Sequence, residues 1–379
     1  MLQKRHLIFV ILGFLCLVFP IASHAQATLT PDTTTIAKAR VTKITNQQQT
    51  VLPGNDVPSP KQTITADILS GAESGTSVTF DNEYIQLKVG DLFYLRHITS
   101  TLDAGTDYYT VSDPYRLNVL GGLVAVFIIL IIIFGGMQGV RGFASLCGSF
   151  ILLFYVLIPS ILAGYSPVLV STGVASLIII VGSYITHGFN RTTTAAVLGM
   201  IGTVLITGVG AYYVVHAAHL TGYNNEESIY LNFNTRGHVD LVGLLFGGIM
   251  IGLLGVLYDV AIGQAIAVEE LLRAGTHMTR LQVSERAIRI GREHIGALVN
   301  TLAIAYVGAA LPLLLLVQSS TYGIAYAINN EIFATEVVRI LIGSIGLILG
   351  VPITTFIASY MLTRTRTVVV SHEGRSHHH

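Results

Sequence analysis

Beyond residue 116 the apolar residues fall into seven long runs, at 117–134, 142–163, 168–186, 195–215, 241–268, 297–317 and 337–362. Each has at least 18 residues, and roughly 20 residues of helix cross a hydrocarbon core about 30 Å thick. The pattern predicts an α-helical polytopic membrane domain over 117–362 with seven transmembrane helices. Between 30 and 113 the period changes. Apolar and polar residues alternate at 39–44, 62–69, 76–80 and 92–95, separated by Pro53-Gly54-Asn55, Ser70-Gly71 and Gly90-Asp91. Period-two alternation broken by turn residues predicts short strands, hence a small all-β domain, barrel or sandwich, of about five strands.

The two ends read as processing features. Lys4 and Arg5 precede an apolar stretch at 7–19 and then Ser23-His24-Ala25, the layout of a signal peptide over 1–25, cleaved or retained as a signal anchor. The tail, 363–379, ends in Gly374-Arg375-Ser376-His377-His378-His379. This resembles a trimmed affinity tag, and those histidines carry no metal argument.

Composition agrees with a lipid environment. Charged residues make up 11% of the chain, hydrophobic residues 52%, and mean hydropathy is +0.66, against about 25% charged in an ordinary soluble protein. Net charge is zero, so no basic footprint for nucleic acid exists. Cys16 and Cys147 are the two cysteines, too few and too separated for a disulfide framework or a cysteine metal site.

Where the charges fall sets orientation. The loops at 135–141, 187–194 and 269–296 and the tail from 363 hold ten arginines, whereas the loops at 164–167, 216–240 and 318–336 hold only Arg236. The positive-inside rule therefore puts the β-domain outside and the C-terminus in the cytoplasm. In a chain with no tryptophan, Tyr108, Tyr109, Tyr115, Tyr212, Tyr213, Tyr223 and Tyr230 serve as interfacial anchors.

The candidate chemistry centres on Asp259. An ionisable group within an apolar run is costly and points to an ion or proton path. It lies about 27 Å along the helix from Leu241, with apolar sequence continuing to Glu269, so that helix is expected to be strongly tilted or to break near Gly255. Asp259, Gly263, Ile266 and Glu270 share one helical stripe. Gly243, Gly247, Gly248 and Gly252 form small-xxx-small pairs, which permit close helix packing and a homo-oligomer. Pro312 and Pro352 are expected to kink the sixth and seventh helices, and Asn300 is an interhelical or substrate contact. In the long external loop, His216, His219, His238 and Asp240 are a weak candidate set for a divalent transition metal. The arginine-rich stretch 273–294 is expected to lie as an amphipathic helix on anionic headgroups or to dock a cytoplasmic partner. Motifs for metalloprotease or nucleotide chemistry are absent, so neither an enzyme nor a cofactor is expected.

Three sequence blocks carry a family resemblance. They are His187-Gly188-Phe189-Asn190-Arg191-Thr192-Thr193-Thr194-Ala195-Ala196, the run from Gly252 through Leu257-Tyr258-Asp259 to Glu270-Leu271, and the run from Val299-Asn300-Thr301 through Tyr306 and Gly308 to Leu311-Pro312. With these the chain resembles the YibE/F-like family of bacterial multi-pass membrane proteins, whose members are described as membrane proteins or permeases. The resemblance implies a location in the bacterial cytoplasmic membrane and returns Asn190, Arg191, Asp259, Glu270 and Asn300 as polar positions of interest. The leading expectation is a permease moving a small ion or solute past Asp259. The alternative is a non-transporting scaffold or sensor linking the external β-domain to a cytoplasmic partner. In either case membrane lipids surround the helices.

Overall fold

The computed structural model describes residues 33–51, 58–99, 107–275, 277–319 and 323–373. The signal segment at 1–25 and the tag-like residues 374–379 lie outside the described residues. The chain divides into two compact units, Met1–Ala125 and Val126–His379.

The first unit is built from β1 (Thr33–Val51), β2 (Pro58–Ile68), β3 (Ser77–Asn82), β4 (Leu92–Thr99) and β5 (Asp107–Pro114). All pairings are antiparallel and the strand order is β3-β2-β1-β4-β5. The alternation seen in the sequence is the burial pattern: Gln62, Ile64, Ala66 and Ile68 of β2 point inward while Thr63, Thr65 and Asp67 point out. The sheet curls into a half-barrel in which edge strands β3 and β5 approach each other, and Phe80 meets Phe93 across the interior at 6.2 Å between ring centroids. Gln62 and Asn82 are buried amides in this unit. Gln62 Nε2 donates to the Leu87 carbonyl at 2.9 Å, and its Oε1 accepts from Leu87 N at 2.9 Å and from Asn82 Nδ2 at 3.3 Å. An unmet amide there would cost about 1–3 kcal/mol, so this pairing fixes how the segment after β3 folds back.

The second unit is helical. Its elements are α1 (Leu117–Leu152), a π-helical turn (Leu153–Leu157), α2 (Ile158–Leu162), α3 (Pro167–His187), α4 (Arg191–Ala217), α5 (Glu226–Asn234), α6 (Leu241–Ala274), α7 (Arg280–Ala309), α8 (Leu311–Gln318), α9 (Ile324–Asn329) and α10 (Glu331–Glu373). Among the described residues, five helices are long and apolar enough to cross a membrane, or up to six if α7 and α8 together make one broken span. The sequence expectation was seven, and the difference lies in α1. Gly136 interrupts it at φ 52°, ψ −141°, a conformation essentially restricted to glycine. Phe127 and Phe143 would be about 24 Å apart along a straight helix, yet their rings are 6.3 Å apart. The two apolar runs at 117–134 and 142–163 are therefore arms of a tight helical hairpin, with Gly139 passing so close to the Ile131 carbonyl that a Cβ there would sit 2.6 Å from it.

The centre of the unit is α4, α6 and α10, whose shared core includes Met200, Val204, Ile249, Met250, Leu253 and Leu257. Small residues bring these helices together: Gly199 abuts Thr354, and Gly350 receives Leu257 Cδ1 at 2.8 Å from where a Cβ would stand. Because lipid is as apolar as the helices and provides no hydrophobic force between them, such close contact supplies the association energy. Pro352 lies inside α10, which continues through it. Pro312 instead marks a break, with α7 and α8 meeting at 68°, because proline cannot donate to Gly308 and its ring clashes with that turn.

α6 runs 34 residues without a break at Gly255, which leaves a strongly tilted helix of the two alternatives expected for it. The arginine-rich stretch is the first half of α7, continuous with the apolar second half. Part of its apolar face is covered within the chain, since Val283, Ala287 and Gly291 are buried and Ser284 Oγ lies 2.9 Å from Ser359 Oγ of α10. The Arg280 guanidinium stacks over the Tyr360 ring at 4.6 Å. That part of the helix packs within the chain, while Leu281 and Ile290 stay exposed.

Candidate functional site

The site is built on α6. Asp240 starts the helix by accepting from Gly243 N at 3.0 Å, which satisfies one of the unpaired N–H groups of the first turn. From there α6 is surrounded on most sides. α3 packs at Gly247, which abuts Ser171, and at Tyr258, whose hydroxyl donates to the Gly182 carbonyl at 3.3 Å. α7 packs at Gly252, against the Tyr306 hydroxyl, and through Ile295, Leu298 and Val299, which join the cluster of Val260 with Leu347 and Val351 of α10.

One stripe stays uncovered. Gly248, Gly255, Asp259, Gly263, Ile266 and Glu270 are all exposed, and their spacing of three, four or seven residues puts them on one helix face. A Cβ added at Gly248, Gly255 or Gly263 would meet nothing within 4 Å. The missing side chains leave an open groove along α6, flanked by α3 on one side and α7 on the other. Asp259 is the only ionisable residue on its floor until Glu270, and its carboxylate makes no hydrogen bond or ion pair among the described residues. His187, at the end of α3, lies beside the groove: its ring is 6.1 Å from that of Tyr258, and its Nδ1 is 3.5 Å from Gln138 Nε2.

At the end of α6 the acidic residues are engaged. Arg273 pairs with Glu269 and, at 3.3 Å, with Glu270. Glu269 Oε2 also accepts from Thr192 Oγ1 of α4 at 2.6 Å, a link between helices that the sequence did not signal, because 77 residues separate the two. Glu270 shares the stripe with Asp259 but stands about 16 Å farther along, so the two are successive points on a path and not one ligand set. Asn190 is an N-cap: its Oδ1 accepts from Thr193 N at 2.7 Å while its Nδ2 donates to the His187 carbonyl at 3.0 Å. Arg191 opens α4 and is exposed, as is Asn300 on α7.

At the other end of the bundle, where α3 and α6 begin and α4 ends, a cavity of about 780 Å³ is lined by His216, His219, Asp240, Tyr212, Thr221 and Phe246, among others. Three of the four candidate metal ligands thus share one space, while His238 is not in its lining. Among the described residues no group of three or more His, Cys, Asp or Glu is placed to hold a metal ion. His216 Nδ1 lies 2.8 Å from the Tyr212 carbonyl, and Asp240 Oδ1 caps α6.

No curated protein and no solved structure matches the chain. The family described as YibE/F-like protein matches residues 123–364, which contain the whole α6 groove and all three sequence blocks that carried the resemblance. On that match over more than half its length, the chain belongs to the YibE/F-like family.

Proposed function

We propose that the protein is a membrane permease in which Asp259 takes up a cation or proton from the groove along α6. The observation that carries this reading is a lone carboxylate on the glycine floor of an open groove, within a helix whose other faces are buried in apolar contacts. A carboxylate left to lipid would be costly. A wetted path along the stripe from Gly248 to Glu270 relieves that cost and delivers an ion to the carboxylate. Polar groups at His187, Gln138 and Tyr258 line one shoulder of this path, and Glu270 stands at its end.

In the arrangement we propose, each arm of the α1 hairpin spans the membrane. Together with α3, α4, α6, the broken α7–α8 pair and α10, this makes seven spans. The charge distribution then places the β-domain outside the bacterial cytoplasmic membrane and the arginine-rich start of α7 in the cytoplasm.

The test is flux through liposomes containing the purified full chain, compared with Asp259→Asn, which removes charge while nearly preserving volume. Cation or proton flux above empty liposomes that is lost in the variant, with unchanged thermal stability, supports the permease. If wild-type protein gives no flux above empty liposomes for common monovalent cations or protons, the permease reading fails and the scaffold reading replaces it.

A further inference from the structure

The half-barrel contains an ionic cluster that transport does not use. His97 of β4 has both ring nitrogens on carboxylates: Nδ1 is 2.9 Å from Glu73 Oε1, and Nε2 is 3.0 Å from Asp107 Oδ1. Glu73 belongs to the turn between β2 and β3, at the opposite edge of the sheet from Asp107 on β5. Tyr109 of β5 stacks flat on the imidazole, at 4.5 Å and 17°, and its hydroxyl donates to Glu73 Oε2 at 3.3 Å. Thr99 Oγ1 donates to Asp107 Oδ1 at 3.2 Å. The His97 side chain is 13% exposed, so water cannot readily replace either carboxylate.

This geometry has one protonation state that satisfies it. A neutral imidazole has one N–H and one lone pair, whereas the imidazolium donates at both nitrogens. Only the cation meets two carboxylates at hydrogen-bond distance, and such charge-assisted bonds are about twice as strong as neutral ones. Loss of the proton turns one contact into a lone pair facing a carboxylate. The groups facing His97 are Glu73 from the turn, Asp107 and Tyr109 from β5, and the uncharged Thr35 opposite it on β1.

We infer that Glu73, His97 and Asp107 form a pH-sensitive latch, which holds the turn between β2 and β3 against β4 and β5 while both ring nitrogens of His97 carry a proton and releases it when one is lost. The two flanking groups do not compete for this role. Asp107 is held below the usual carboxylate range, first by its hydrogen bond with His97, so it stays ionised in mildly acidic solution. Tyr109 is raised above the usual phenol range, first by burial and then by Glu73, so it stays a neutral donor. The latch therefore opens on loss of the imidazole proton, with Asp107 remaining a carboxylate and Tyr109 a neutral donor. This inference does not depend on the permease reading.

The test uses the full chain in nanodiscs, with Cys16→Ser and Cys147→Ser and a single nitroxide at Ser74→Cys in the turn. A second preparation carries the nitroxide at Val89→Cys, an exposed position in the turn before β4. Wild type is expected to show an immobilised Ser74 label at pH 6 that is lost by pH 8.5, with the Val89 label unchanged. His97→Gln is expected to abolish the pH response, and Glu73→Gln to leave the label mobile at both values. An unchanging wild-type spectrum, a pH response that survives in His97→Gln, or a Val89 label that loosens together with Ser74 in the wild type overturns the latch. Should His97→Gln itself unfold, as a loosened Val89 label would show, the comparison of wild type with Glu73→Gln decides: a Glu73→Gln label still immobilised at pH 6 overturns the latch.

Discussion

Gln264 Nε2 donates to Thr355 Oγ1 at 2.9 Å and, from the same nitrogen, to the Ala287 carbonyl at 2.7 Å. One buried amide on α6 thereby joins α10 and α7. Thr355 is itself held by the Val351 carbonyl at 2.8 Å, so the amide enters a site already fixed in position. Helix contacts in a membrane gain about 0.6 kcal/mol from each such bond. Gln264→Leu, which keeps the volume and loses both bonds, is expected to lower stability by about 1 kcal/mol, read as a lower thermal midpoint in detergent.

The same junction makes α7 sensitive to a single methyl group. At Gly291 a Cβ would lie 2.5 Å from Val351 Cγ1 and 2.7 Å from Gln264 Nε2, whereas at Gly296, in the same helix, it would meet nothing within 4 Å. Gly291→Ala is expected to destabilise by about 1–3 kcal/mol through overpacking. Gly296→Ala should instead stabilise by up to about 1 kcal/mol, since alanine favours helix. Thermal unfolding of the two variants side by side checks the opposite signs.

The α1 hairpin depends on the backbone at Gly136. A β-branched side chain cannot adopt φ 52°, ψ −141° without strain of roughly 1–3 kcal/mol. In a cysteine-free background, Phe127→Cys and Phe143→Cys are expected to be joined efficiently by a short bis-maleimide. Adding Gly136→Val should sharply reduce that yield, because the arms no longer fold together.

Acid should weaken the half-barrel through Asp107. Its carboxyl is held below the usual range by His97 and Thr99. A depressed acid contributes stability that is present above its unfolded value, near 3.9 for aspartate, and is lost as pH falls through the folded value. Asp107→Asn is expected to be less stable than wild type at pH 6, with the gap closing below about pH 4. Paired thermal scans across that range measure it.

The groove itself can be tested by filling it. Gly255→Leu adds a side chain where nothing lies within 4 Å, so folding should be retained, while any flux that depends on Asp259 should fall to near the level of Asp259→Asn. Flux and thermal midpoint measured on the same preparation separate a blocked path from a damaged fold.

Much of this architecture is written in local pattern. Lengths of apolar sequence mark the helices because a bilayer demands a fixed span, and alternation marks β2 and β4 because one face of each strand is buried. The stripe of Asp259, Gly263, Ile266 and Glu270 follows from helical period alone. Which side of α6 stays open does not. That depends on α3, α4, α7 and α10 covering the other sides, and partners more than 20 residues away leave no trace in the helix's own sequence. The candidate metal set shows the same limit: which of His216, His219, His238 and Asp240 line one cavity is decided by the ends of α3, α4 and α6 and not by spacing. Glu73, His97 and Asp107 each read as an ordinary polar residue beside a strand or turn. Only the curl of the sheet, which carries one edge around to the other, brings two carboxylates to a single imidazole, because charge is felt through space and not along the chain.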